Sequence, residues 1–194
     1  MILYHGTQNG QLKELITNYK SNRDGDNVPI YLTDSYECAF MYGASTFRSY
    51  SLNKDKDILV LNEKAPEGFK KLYQGHGCYI FKINIEIPRQ VENHPLGSHV
   101  FSYDKNITLN KDDCEYIEDC YEKLLQLEKD GKIILNRWEN YTEEEKKQVK
   151  GKFLKLVKPI LQESKEKFPE DYKIFISFYP ELETCSSSTE KGDL

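Results

Sequence analysis

The sequence has no paired-cysteine motif, no apolar run long enough to cross a bilayer, and no surplus of positive charge. Its five cysteines are Cys38, Cys78, Cys114, Cys120 and Cys185. They form no CxxC pair and have no His-x-x-x-His companion, so the ligand spacing of a zinc site is missing and no metal is expected. An odd cysteine count behind no signal-peptide pattern reads as a reduced, cytoplasmic protein. No stretch approaches the ~20 apolar residues that a membrane span requires, so no membrane partner is expected. With 27 basic against 32 acidic side chains the net charge is -5. Neither half is basic enough to hold phosphate backbones by charge alone, which argues against nucleic acid as the main partner.

What is present is aromatic. Fourteen tyrosines, in a chain of 194 residues with 12% aromatics, argue against a disordered polymer and for rings lining a cleft or a surface. The length suits one domain with an appendage.

Ile2 to Tyr4 reads as a strand running into His5-Gly6-Thr7, and Gln11 to Tyr19 carries Leu12, Leu15 and Ile16 at helical spacing. Ser21 to Asn27 is polar and loop-like, and Val28 to Leu32 is strand-like. Asp34-Ser35-Tyr36-Glu37 resembles a capping box with Asp34 as N-cap, starting a helix through Ala39, Phe40 and Tyr42. Ile58 to Leu61 and Cys78 to Ile87 are strand-like, the second by alternation through Tyr79, Phe81, Ile83, Ile85 and Ile87. Glu67 to Tyr73 makes one or two helical turns between them. His99 to Tyr103 and Ile107 to Leu109 suggest two more short strands.

The pattern changes near residue 114. Ile117, Cys120, Tyr121, Leu124 and Leu125 mark an amphipathic helix stopped by Gly131. Thr142 to Glu145 forms a second capping box ahead of Val149, Phe153, Leu156 and Val157, and Pro159 kinks or ends that helix. Tyr172 to Leu182 is read as a short helix ending before Pro180. The expected organisation is an α+β core over 1–112, a helical extension over 113–182 and a mobile serine-rich tail over 183–194.

The chemistry gathers early in the chain. His5 at a strand end can exchange hydrogen bonds with a ribose hydroxyl, and Gly6 lets a ligand approach the backbone without a Cβ in the way. Tyr31 on a strand and Tyr42 on the next helix stand eleven residues apart and suit a cleft that sandwiches a flat ring. By contrast, His76 between Gly75 and Gly77 reads as a turn, because no helix follows to complete a phosphate cradle. The lysines of 146–158 read as a solvated helix face.

Together, Tyr4-His5-Gly6-Thr7, Tyr31-Leu32-Thr33 and Asp34 through Tyr42 resemble the histidine–tyrosine class of ADP-ribosyltransferases, which includes the poly-ADP-ribose polymerases and the rifamycin-modifying transferases. The likeness covers roughly residues 1–110. It implies an ADP-ribosyltransferase-like split β core binding NAD as co-substrate. His5 would hold a ribose hydroxyl and the Gly6 backbone would pair with the nicotinamide carboxamide. Tyr31 and Tyr42 would stack on the ring, with Thr7, Thr33 and Ala39 completing the site. Ala39 stands where many polymerase relatives carry a serine for the carboxamide. The family also needs a carboxylate to stabilise an oxocarbenium-like state. Here the choice stays open between Glu92, on the loop after the long strand, His99, where the polymerases carry glutamate, and no acid at all, with Asp104 and Glu86 as outside candidates.

The function expected is ADP-ribosyl transfer from NAD to an unidentified acceptor, a protein or a small molecule, with release of nicotinamide. The alternative is a catalytically silent NAD- or ADP-ribose-binding or protein-interaction module on the same fold. RNA 2′-phosphate transfer to NAD is disfavoured, because residues 1–112 contain only Arg23, Arg48 and Arg89.

Overall fold

The computed structural model describes residues 1–17, 29–45 and 49–185, with residues 184 and 185 described by their backbone alone. It is a mixed α+β chain whose contacts divide it into two compact units. One combines Met1–Leu61 with Tyr73–Ile134, and the other combines Asn62–Leu72 with the chain from Leu135 onward.

The first unit contains β1 (Ile2–Thr7), β2 (Glu14–Leu15), β3 (Ile30–Thr33), α1 (Tyr36–Ala44), β4 (Tyr50–Asn53) and β5 (Ile58–Asn62). After α2 (Gly68–Tyr73), which opens in the second unit, come β6 (Cys78–Asn84), β7 (Arg89–Gln90), β8 (Val100–Tyr103), β9 (Ile107–Thr108), β10 (Cys114–Ile117) and α3 (Cys120–Lys129). Six strands form an antiparallel sheet in the order β10-β6-β1-β3-β8-β7. Strands β4 and β5 pair separately, as do β2 and β9.

Strand β6 is buried on one face at Phe81 and Ile83 and on the other at Cys78 and Ile80, with Lys82 and Asn84 exposed, and the neighbouring elements explain why. Phe81, Ile83 and Ile85 join Leu3, Ile30, Leu32 and Phe101 in a core cluster closed over by Leu15 and Ile107 of the β2–β9 pair. On the other face lies α1, whose Cys38, Ala39, Phe40, Met41 and Ala44 are all buried.

Several expectations change here. Residues 11–17 are not helical: Leu15 reaches the core as part of extended β2, so apolar positions at helical spacing are buried by strand pairing instead. Tyr19, the loop of 21–27 and Val28 lie outside the described residues. The N-cap of α1 is Ser35, whose side chain accepts from Cys38 N at 3.1 Å, and not Asp34. Strand β6 ends at Asn84, short of Ile87, which has φ 56° and precedes Pro88.

The boundary expected at 112/113 also moves. Strand β10, at 114–117, is an edge of the six-stranded sheet, and α3 belongs to the first unit.

In the second unit, α4 (Glu143–Val157) starts on the expected capping box: Glu145 N donates to Thr142 Oγ1 at 3.3 Å, and Thr142 N donates to Glu145 Oε2 at 2.8 Å. Before it, β11 (Ile133–Asn136) crosses from the first unit into the second. Pro159 falls in a 3-10 turn that separates α4 from α5 (Leu161–Lys167), and α6 (Pro169–Phe178) and α7 (Glu181–Cys185) follow. Phe153 packs against Phe175, Phe178 and Tyr179, with ring centroids 6.0, 5.5 and 5.1 Å away. Residues 186–194 lie outside the described chain.

Glu63 ties this unit's segments together. It is 5% exposed, and its two carboxylate oxygens accept from Phe69 N at 2.9 Å and Trp138 N at 2.6 Å. Removing the acceptor strands two backbone donors. Glu63→Ala is therefore expected to cost about 3 kcal/mol, read as a lowered denaturant midpoint of the second unit, with Glu63→Gln losing less.

Candidate functional site

Strand parity shows how a cleft opens beside β1. The Met1 ammonium donates to Ile85 O and Ile85 N donates to Met1 O, both at 2.9 Å. That exchange turns the backbone groups of residues 1, 3, 5 and 7 toward β6, and those of Tyr4 and Gly6 toward β3. The register between β1 and β3, however, consists of Tyr4↔Thr33. Continued, it would set His5 against Leu32 and Gly6 against Tyr31. Those rungs are not formed, and the backbone N–H and C=O of Gly6 face a gap.

A cavity of about 500 Å³ occupies that gap, lined by Tyr4, His5, Gly6, Tyr31, Leu32, Thr33, Ala39, Tyr42, His94 and Val100. The residues of the two missing rungs are all among its walls. Helix α1 supplies the opposite side, because the absent side chain of Gly6 lets it approach: a Cβ on Gly6 would overlap the Ala39 carbonyl and meet Gly43 N at 2.7 Å. The missing Cβ thus serves helix–strand packing, which the sequence had suggested was for a ligand. It leaves the polar backbone of Gly6 pointing into the gap, and Ala39 is needed at close quarters by β1.

The two histidines here are held toward their neutral form. Burial holds the His5 imidazole below its ordinary value, with a backbone hydrogen bond to Tyr31 acting against it. Burial also lowers His94, whose Nδ1 accepts from Leu96 N at 3.2 Å and leaves Nε2 as the protonated nitrogen. Tyr42 meets Tyr50 edge-on and shares a 2.9 Å hydroxyl contact with it, while Tyr31 is 52% exposed and presents its ring. Such a cleft can hydrogen-bond a hydroxyl and a carboxamide and stack a flat ring. None of the ten described residues that line it carries a carboxylate.

The remaining sequence candidates lie elsewhere. Thr7 lines an adjoining cavity, and its Oγ1 accepts from Asn9 N at 3.1 Å. Glu92 is exposed and lines no part of the cleft, Glu86 is exposed at the end of the long strand, and Asp104 pairs with Arg89 at 3.5 Å. His99 faces a different cavity of about 310 Å³ with Asp34, Asp57, Glu37 and Lys132. There its Nδ1 meets Asp34 Oδ1 at 2.7 Å and its Nε2 meets Asp57 Oδ1 at 3.0 Å. A ring engaged at both nitrogens is a clamp between the β3–α1 junction and the β4–β5 turn, and it is unavailable to a ligand in the cleft.

Sequence reasoning missed His94. It sits in a turn between Asn93, with φ 56°, and Pro95, on the loop where a catalytic side chain was sought, but no motif singles it out. Among the described residues, no group of three or more His, Cys, Asp or Glu side chains is placed to hold a metal, and no helix is long and apolar enough to cross a membrane. Comparison with protein-family models, curated proteins and solved structures gave no match to this chain.

The two kinds of histidine predict opposite pH responses. Burial is the largest single influence on His99 and pulls it down, but the hydrogen bonds and charges of Asp34 and Asp57 together leave it raised above 6.5. Its contribution to stability is therefore complete below pH 6.5 and is lost as pH rises through the folded value. His5, held low, contributes above pH 6.5 and loses that contribution as pH falls through its folded value. His99→Gln should narrow the stability difference between pH 6 and pH 8 (about one unit on either side of an ordinary histidine). Equal loss at both pH values would show that the clamp is not ionic. Gly6→Ala should cost about 3 kcal/mol or prevent folding, measured by chemical denaturation.

Proposed function

We propose that this chain is an NAD-dependent ADP-ribosyltransferase whose cleft, between β1 and β3 of an ADP-ribosyltransferase-like split β core, holds nicotinamide and its ribose. The observation that carries this reading is the convergence of His5, Gly6, Tyr31 and Tyr42 on one cavity of about 500 Å³. Each supplies a different need of the same ligand. The Gly6 amide and carbonyl face the gap as a donor–acceptor pair, which matches a carboxamide. Neutral His5 exchanges a hydrogen bond with a ribose hydroxyl without placing a like charge beside the cationic pyridinium ring. Tyr31 and Tyr42 offer ring faces to that cation. Departure of nicotinamide leaves an oxocarbenium-like ribose, which the acceptor captures.

A second reading is favoured by one specific observation, the lack of a carboxylate among the described residues lining this cavity. In that reading the chain binds NAD or ADP-ribose without turnover, as an interaction module.

Calorimetry with NAD and a nicotinamide-release assay separate the two. Binding with release supports transfer, and binding without release supports the module. No binding at millimolar NAD, with an unchanged melting temperature, overturns both. His5→Ala is expected to weaken NAD by roughly tenfold through the lost hydrogen bond, and Tyr31→Ala by tenfold or more through lost stacking.

A further inference from the structure

A second cavity of about 420 Å³ shares His5 and Tyr31 with the first. Side-chain alternation puts Leu3, His5 and Thr7 on the core-cluster face of β1, and Tyr4 and Gly6 on the face covered by α1. The second cavity, bordered by Thr7, Leu12, Leu15 and Ile30, belongs to the core-cluster face, opposite the side from which α1 closes the first. His5 and Tyr31 border both cavities.

Half of the described residues lining this cavity are aliphatic (Leu12, Leu15, Ile16, Pro29 and Ile30), and among the described ones Glu14 is the one carboxylate and none is lysine or arginine. Glu14 is held in place by its backbone, which pairs with Thr108 beside the buried anchor Leu15. Its carboxylate makes no hydrogen bond or ion pair with any described residue. An unpaired anion against aliphatic walls repels a pyrophosphate and attracts a cation carried on an apolar body.

We infer that this cavity is the acceptor site, that it takes an apolar primary amine, and that Glu14 is the catalytic carboxylate of the reaction. The inference rests on the NAD reading above and identifies its acceptor. The protonated amine donates to Glu14 and passes one proton to it, which exposes the nitrogen lone pair. That lone pair forms a bond to the anomeric carbon of the ribose as the bond to nicotinamide breaks. Nicotinamide leaves as a neutral molecule with the electron pair of the broken bond. The product nitrogen and Glu14 each then lose a proton to water. Displacement in line requires nucleophile and leaving group on opposite sides of the reacting carbon, and two cavities on opposite faces of one sheet, meeting at His5 and Tyr31, provide that arrangement.

The test uses 4-phenylbutylamine as the probe and 4-phenylbutyrate as an anion of the same body. By calorimetry on the whole chain, the amine is expected to bind and the anion not, and Glu14→Gln should weaken the amine at least about tenfold. With saturating NAD, the amine should accelerate nicotinamide release and yield an ADP-ribosyl adduct seen by mass spectrometry. Glu14→Gln should lower that rate by about a hundredfold while NAD affinity holds. Because Glu14 is exposed, an unchanged melting temperature is expected for this variant. Preferential binding of the anion, or amine binding indifferent to Glu14→Gln, overturns the acceptor site. Glu14-dependent amine binding with NAD bound and no adduct formed overturns the transfer step. If NAD does not bind at all, the reading of the first cleft fails, and amine binding still decides the second cavity by itself.

Discussion

The closeness of α1 to β1 is the constraint on which the cleft depends. At Gly6 the strand and the helix meet backbone to backbone, with the Ala39 carbonyl and Gly43 N occupying the space of a side chain. A larger residue at position 6 would lift α1 away. With it would go the wall that Ala39 and Tyr42 provide, and the buried apolar face of Phe40, Met41 and Ala44 would lose its seat on the sheet. The same contact explains why β1 can leave two rungs to β3 unmade. The strand is held along its whole length by β6 on one edge and by the helix on one face, so its other edge is free to part from β3.

Electrostatics sorts the histidines by task. His5 and His94 are held toward their neutral form by burial within the cleft, whereas His99 is drawn toward its charged form by two aspartates in a separate cavity. A buried neutral imidazole can be donor or acceptor according to its tautomer. A ring bonded at both nitrogens is a fastener. Only a few residues separate His94 from His99 along the chain, yet the 3-10 turn at Gly97–His99 sends them to different places.

Much of this was legible in the sequence because it depends on local pattern. The start of β1 at Ile2–Tyr4, the α1 helix, the capping box at Thr142 and the interruption at Pro159 each follow from a handful of adjacent residues, although β1 runs on through Thr7. The grouping of His5, Gly6, Tyr31 and Tyr42 was legible as well, from their order and spacing. What could not be read depends on partners distant along the chain. Residues 11–17 have helical spacing, but Leu15 is claimed by β9, some ninety residues away. Strand β10 looked like the approach to a helix, since its Cys114-Glu115-Tyr116-Ile117 segment alternates too briefly to declare itself without β6 beside it. His99 was aligned by its place before a strand. Its role is set instead by Asp57, a turn residue with positive φ whose position no local rule supplies. Glu14 falls within a segment of helical spacing, and no local motif marks it.

The gap between β1 and β3 has one further consequence. Most of its walls are strands already locked into ladders and a helix already seated, with His94 contributed by a turn. A ligand entering it restrains few torsions that folding has not restrained before, so even a small set of polar contacts is kept from being cancelled by ordering entropy. Shape selection at this site is then governed by the fixed separation of two backbones. A molecule too wide for that separation meets the sheet itself, which cannot yield without unzipping its neighbours.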